Sequence, residues 1–190
     1  MMMTTEAVTQ RKKIHPHKFT LWVGIASIIM MFAGLTSAYI VKSSLPGWTP
    51  VTMPSLFYYS TVVILISSLT LQMAVKQFKE RNKTHYRNLL LLTFVLGLLF
   101  IVLQVVGFGM LYDAGIKMEG SGAGQFLYII FGLHGLHVLG GAIALLVVLF
   151  KALRISIKSY NPVPVEVLAT YWHFVDLLWI YLFVFFLLRF

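Results

Sequence analysis

The sequence predicts an all-α membrane protein, a bundle of five transmembrane helices. Three observations carry that prediction. Five apolar runs reach the roughly 20 residues needed to cross a bilayer: Phe19 to Val41, Ser55 to Val75, Asn88 to Tyr112, Gln125 to Phe150 and Glu166 to Leu188. Only 11% of the 190 residues are charged, against about 25% in a soluble domain, and the mean hydropathy is +0.86. The basic residues, finally, cluster on one side of the runs.

Residues 1–18 are polar and basic, with His15-Pro16-His17 leading into the first run, and are expected to form a cytoplasmic tail. Residues 19–190 are expected to form one transmembrane domain. The first run is 23 residues long with no small-residue cleavage motif behind it, whereas a secretory signal has an apolar core of roughly 7–15 residues; it reads as a retained helix. Pro46, Gly47, Trp48, Pro50 and Pro54 make the first outer connection rigid, and Trp48 suits the membrane interface. Gly115, Gly120, Gly122 and Gly124 predict a flexible second outer loop. Asn161, Pro162 and Pro164 end the inner loop ahead of the last helix.

Twelve of the fifteen basic residues precede the first run or lie between runs two and three or four and five; only Lys42, Lys117 and Arg189 fall on the other side. The positive-inside rule then places the N-terminus in the cytoplasm and the C-terminus outside. The net charge of +9 is thus a topology signal rather than a nucleic-acid-binding one. The absence of cysteine removes disulfides, thiolate metal sites and c-type haem attachment.

Asp176 is the only acidic residue deep inside an apolar run, where a carboxylate costs roughly 2.5–3.5 kcal/mol or more. His173 stands three residues before it, and the fourth run holds His134 and His137, also three apart. Residues at that spacing share a helix face. At about 1.5 Å per residue, the two runs bring His137 and Asp176 to similar depth, so a His137–Asp176 or His134–Asp176 hydrogen bond is expected between the last two helices. Interhelical bonding is one role for this cluster and a proton relay is the other. A bis-histidine haem would have to pair His134 or His137 with His173, because two ligands on one face cannot flank the ring. The glycines of the fourth run, Gly132, Gly135, Gly140 and Gly141, are expected to let helix backbones approach closely. Gln104, deep in the third run, is expected to bond a neighbour.

Two stretches resemble a known family. Phe131-Gly132-Leu133-His134-Gly135-Leu136-His137-Val138 with Gly140-Gly141, then Tyr171-Trp172-His173-Phe174-Val175-Asp176-Leu177-Leu178-Trp179, are similar to the last two helices of subunit III of haem–copper terminal oxidases. The similarity is strong from Gln125 to Phe190 and looser from Phe19 to Tyr112. Five helices match the short bacterial form, and longer members have seven. His134, His137, His173 and Asp176 match the family pattern, as do the aromatics Trp172 and Trp179. One departure stands out: many members carry an acid just after a serine in the helix matching the first run, where this chain has Ser27 followed by Ile28, Ile29, Met30 and Met31. A role tied to that acid does not transfer.

The resemblance implies a non-catalytic subunit of a proton-pumping cytochrome c oxidase in a bacterial plasma membrane. It would bind no haem or copper itself, those cofactors belonging to partner subunits. It would pack directly on subunit I, in a complex with subunit II and a small subunit IV, within reach of a respiratory supercomplex. It would hold phospholipid between its helices, and support proton uptake and stability during turnover. Subunit III of a quinol oxidase and a nitric oxide reductase accessory protein are alternatives in the same superfamily. From another class, a small proton-coupled transporter is set against the lack of broken helices and inverted halves.

Overall fold

The computed structural model describes residues 16–44, 53–116, 122–154 and 162–188. Each expected run, apart from Ser55 at the N-cap of α2, lies in one α-helix: α1 is Pro16–Ser43, α2 Leu56–Lys79, α3 Lys83–Asp113, α4 Gly122–Arg154 and α5 Val163–Leu188. All five are long and apolar enough to cross a membrane. The helices outrun the apolar runs because hydropathy marks the length in hydrocarbon, while the i→i−4 hydrogen bonds continue into polar ends. Hence α3 begins at Lys83 rather than Asn88, and Gly122 and Gly124, read from sequence as loop glycines, belong to α4. Most of the basic tail, Trp48 with its flanking prolines, Gly120 and Asn161 lie outside the described residues.

The turn joining α2 to α3 shows how the chain reverses in three residues. Glu80 caps α2, Arg81 takes the left-handed conformation at φ 61°, and the amides of Arg81 and Asn82 return to the carbonyls of Phe78 (3.1 Å) and Gln77 (3.0 Å). This is a Schellman closure with arginine in the place glycine usually takes. Asn82 then caps α3, its side chain accepting from the His85 amide at 3.4 Å. The far end of α3 closes the same way, with Gly115 at φ 86° and Ile116 N donating to Leu111 O at 3.1 Å.

The fifth helix is the core of the bundle. It packs on α1, α2 and α4, while α2 pairs closely with α3, and α3 with α4. Among the described residues the backbones of α1 and α2 do not come close, and a lateral groove floored by α5 runs between them. The fully buried Trp172 and Trp179 fill the space between α5 and its neighbours. Small residues make room for them: a Cβ added to Gly97 on α3 would stand 2.9 Å from Trp172 Cη2, and one on Gly141 would stand 3.1 Å from Trp172 Cε3. Gly107 does the same for Phe57 at 3.1 Å. On α4, a Cβ added to Gly140 would stand 3.9 Å from the Tyr171 hydroxyl, and one added to Gly132 or Gly135 would meet nothing within 4 Å. The last two therefore lie on the outer surface of α4, not in a seam of this chain.

Candidate functional site

The polar groups of α5 are held by a ladder of hydroxyls on α2. Trp172 Nε1 donates to Ser67 Oγ at 3.2 Å and Trp179 Nε1 to Thr61 Oγ1 at 2.9 Å. Between them, Ser68 Oγ lies 2.6 Å from His173 Nδ1, and one turn away Gln72 Oε1 lies 3.1 Å from His173 Nε2. The Gln72 oxygen only accepts, so the bond fixes the proton on Nε2 and leaves Nδ1 to accept from the Ser68 hydroxyl. The same ladder ties α2 to α3: Gln104 Nε2 donates to Ser60 Oγ at 2.9 Å, the bond expected of Gln104, and Thr70 and Thr93 share a hydrogen bond of 2.9 Å. The sequence reading passed over these hydroxyls. Their signal was the density of Ser60, Thr61, Ser67, Ser68 and Thr70 in one apolar span.

Asp176 lies between the two tryptophans on one stripe of α5 and is 4% exposed. The Ser68 hydroxyl lies beside its carboxyl group, but neither carboxyl oxygen reaches hydrogen-bond geometry with any group. The expected bond to His134 or His137 is not formed. His134, 2% exposed, stacks on Trp179 with ring centroids 5.4 Å apart and meets Phe32 edge-on, and neither of its ring nitrogens is bonded. His137 turns back on its own helix, Nδ1 lying 2.7 Å from Leu133 O, while its carbonyl accepts from the Tyr171 hydroxyl at 3.0 Å. The matching depth was right and the rotation was not. Indole rings occupy the α4–α5 seam and turn the polar edge of α5 toward α2.

At the end of the bundle bearing Pro16, Glu166 in the first turn of α5 binds two lysines. Lys18 of α1 reaches Oε2 and Lys79 of α2 reaches Oε1, each at 2.9 Å. This triad bridges the groove between α1 and α2, whose described backbones do not approach each other closely. From sequence these lysines served only as topology signals and Glu166 only as a boundary. Below the triad the groove encloses about 380 Å³, lined by Lys18, Trp22, Gln72, Lys79, Glu166 and His173 among others. A larger, mostly apolar recess of about 640 Å³ opens between α1, α4 and α5, with His17 at its rim and Gly140, Ala144, Val167 and Tyr171 in its wall. Among the described residues no three His, Cys, Asp or Glu side chains converge as a metal site would need.

Comparison with known proteins agrees with these features. The family model for cytochrome c oxidase subunit III matches residues 6–189. The probable cytochrome c oxidase subunit 3 of Mycobacterium tuberculosis is 33% identical over 169 residues, covering 85% of this chain and 82% of the relative. The corresponding protein of Nocardia farcinica is 32% identical over 191 residues, covering 93% and 92%. Cytochrome c oxidase subunit 3 of Rattus norvegicus is 30% identical over 171 residues, with 84% of this chain aligned to 64% of that longer protein. The chain is therefore a multi-pass membrane protein that belongs to the cytochrome c oxidase subunit III family of the haem–copper terminal oxidases, a component of an oxidase complex.

Proposed function

We propose that this chain is the non-catalytic subunit III of a bacterial plasma-membrane cytochrome c oxidase, seated directly on subunit I beside subunit II and a small subunit IV. The observation that carries this reading is the dispersal of its own chemistry. His173 is occupied by Ser68 and Gln72, His134 by the face of Trp179, and His137 by its own helix. Each of these three imidazoles is engaged elsewhere, and membership of the subunit III family supports assigning haem and copper to partner subunits. His173, bonded to α2, and His134, stacked on Trp179, serve to hold α5 in register with α2 and α4. The basic end of the bundle faces the cytoplasm, as its lysines require, with Lys18 in the first turn of α1 rather than in a tail ahead of it.

Large apolar side chains cover the flanks of the bundle, among them Phe19, Met30, Leu69, Val105 and Leu188, each more than 60% exposed in the isolated chain. Such a surface is stable only against lipid or another apolar subunit. The recess between α1, α4 and α5 has the volume and the apolar wall for a phospholipid acyl chain, with His17 at headgroup level. Supporting proton uptake and durability of the complex during turnover is the remaining part of the proposal. Deleting this chain and assaying the residual complex tests it. Oxygen reduction that starts normally and then decays faster than in the full complex supports the reading, whereas complete loss of activity in an otherwise assembled complex overturns it.

A further inference from the structure

The groove between α1 and α2 joins the charged triad to the buried carboxyl. Glu166, His173 and Asp176 lie along α5, and at about 1.5 Å per residue His173 stands roughly 10 Å and Asp176 roughly 15 Å below Glu166. Lys79, Gln72 and Ser68 descend α2 over the same distance. The hydrocarbon of a bilayer is about 30 Å thick, so this polar track ends near its centre. The cavity of about 380 Å³ has room for on the order of ten waters, and polar groups line it from three helices. His173 is among its lining residues; beyond it come Ser68 and then Asp176.

We propose that this groove is a hydrated inlet, open on the N-terminal side of the membrane, that exchanges protons with Asp176 through Ser68 and His173. The protons move in order, the first step needing the Asp176 carboxyl to turn onto the Ser68 hydroxyl it lies beside. Asp176 passes its acid proton to the Ser68 oxygen as the Ser68 hydroxyl gives its own to His173 Nδ1. The ring then releases the Nε2 proton, past Gln72, to cavity water. One proton moves from carboxyl to water, the imidazole changes tautomer, and the reverse sequence restores it. The titratable groups around the track are Lys18 from α1, Lys79 from α2, Glu166 and His173 from α5 and, behind Trp179, His134 from α4. The other direction is closed by aromatic rings. Trp179 packs against Phe57, Phe100, Phe131 and Phe183 with centroids 5.3 to 6.3 Å apart. The inlet is therefore a one-sided proton well, not a channel. This deepens the membrane-subunit reading and does not depend on which oxidase subunits adjoin it.

The absence of cysteine makes the inlet testable in the intact complex. In vesicles whose sidedness is read from an N-terminal tag, Thr170→Cys in the groove and Val23→Cys on the exposed surface of α1, at about the same depth, are treated with a charged, membrane-impermeant methanethiosulfonate. Labelling of Thr170→Cys alone, and from the N-terminal side alone, is expected. Labelling no faster than Val23→Cys, or equal from both sides, overturns the inlet. Infrared spectroscopy of the same complex in D2O follows the carboxyl band lost in Asp176→Asn. That band is expected to shift readily in the parent and about 10²-fold or more slowly in Ser68→Ala, where one proton carrier is missing. An equal rate in Ser68→Ala, or a carboxylate signal insensitive to pH, overturns the exchange. Failure of the chain to co-purify with an oxidase would undo the proposed function while leaving the labelling pattern to judge the inlet.

Discussion

Ser68 of α2 stands 2.6 Å from His173 Nδ1 of α5, midway along α2. Together with the bond from His173 to Gln72, it holds the central helix against α2. Removing it has a predictable size. Ser68→Ala should destabilise the subunit by about 0.6 kcal/mol and by no more than about 1.7 kcal/mol, the range for interhelical hydrogen bonds in membranes. Equilibrium unfolding in mixed micelles, compared with Gln72→Leu and the double variant, checks this. Because both partners bond the same ring, the double variant should depart from additivity.

The glycines separate into two classes with opposite outcomes. Gly97→Ala forces a methyl to within 2.9 Å of the buried Trp172 ring, and overpacking of this kind costs typically 1–3 kcal/mol. Gly132→Ala and Gly135→Ala meet open space and should leave the stability of the isolated subunit unchanged. Thermal denaturation of the purified chain distinguishes them. If Gly132→Ala or Gly135→Ala weakens co-purification alone, that face of α4 is where another subunit sits.

Asp176→Asn should assemble at close to the parent level, since it keeps the volume of a side chain that makes no hydrogen bond of good geometry. Asp176→Leu replaces the flat carboxyl with two bulkier methyls between Trp172 and Trp179 and should cost about 1–3 kcal/mol by overpacking. Quantifying each variant recovered with the complex checks the order. Equal loss for both substitutions would indicate that the carboxyl itself is required.

The Glu166 triad is partly exposed at the membrane end, and such pairs are worth about 0.2–1 kcal/mol each and are screened by salt. Glu166→Gln should lower thermal stability slightly at low ionic strength and leave it unchanged at high ionic strength. Melting curves across a salt series, with Lys79→Met as the one-pair control, measure the contribution.

Much of the fold was legible because crossing a bilayer demands a length of apolar residues that composition displays directly. The five runs and their order emerged from that demand alone, as did the oxidase family from the motifs around His134 and Asp176. Rotation was the harder quantity. Rise per residue puts Asp176 level with His137, but which way the carboxyl turns depends on where two indole rings find space, and that is decided by Gly97 and Gly141 on other helices. The partners of His173 were missed for a related reason. Serine and threonine are tolerated in membrane helices by bonding their own backbone, as Ser60 does with Phe57 O at 2.9 Å, so their presence alone does not announce a contact. Glu166 escaped notice because its two lysines come from positions 148 and 87 residues distant.

The central claim is that this chain assembles with the oxygen-reducing subunits and supports them without holding their cofactors. Its most direct test is the visible absorption of the complex captured by a tag on this chain, recorded before and after the subunits are dissociated. The account predicts haem bands in the captured complex and none in this chain once separated. A haem band that remains with the separated chain would contradict it.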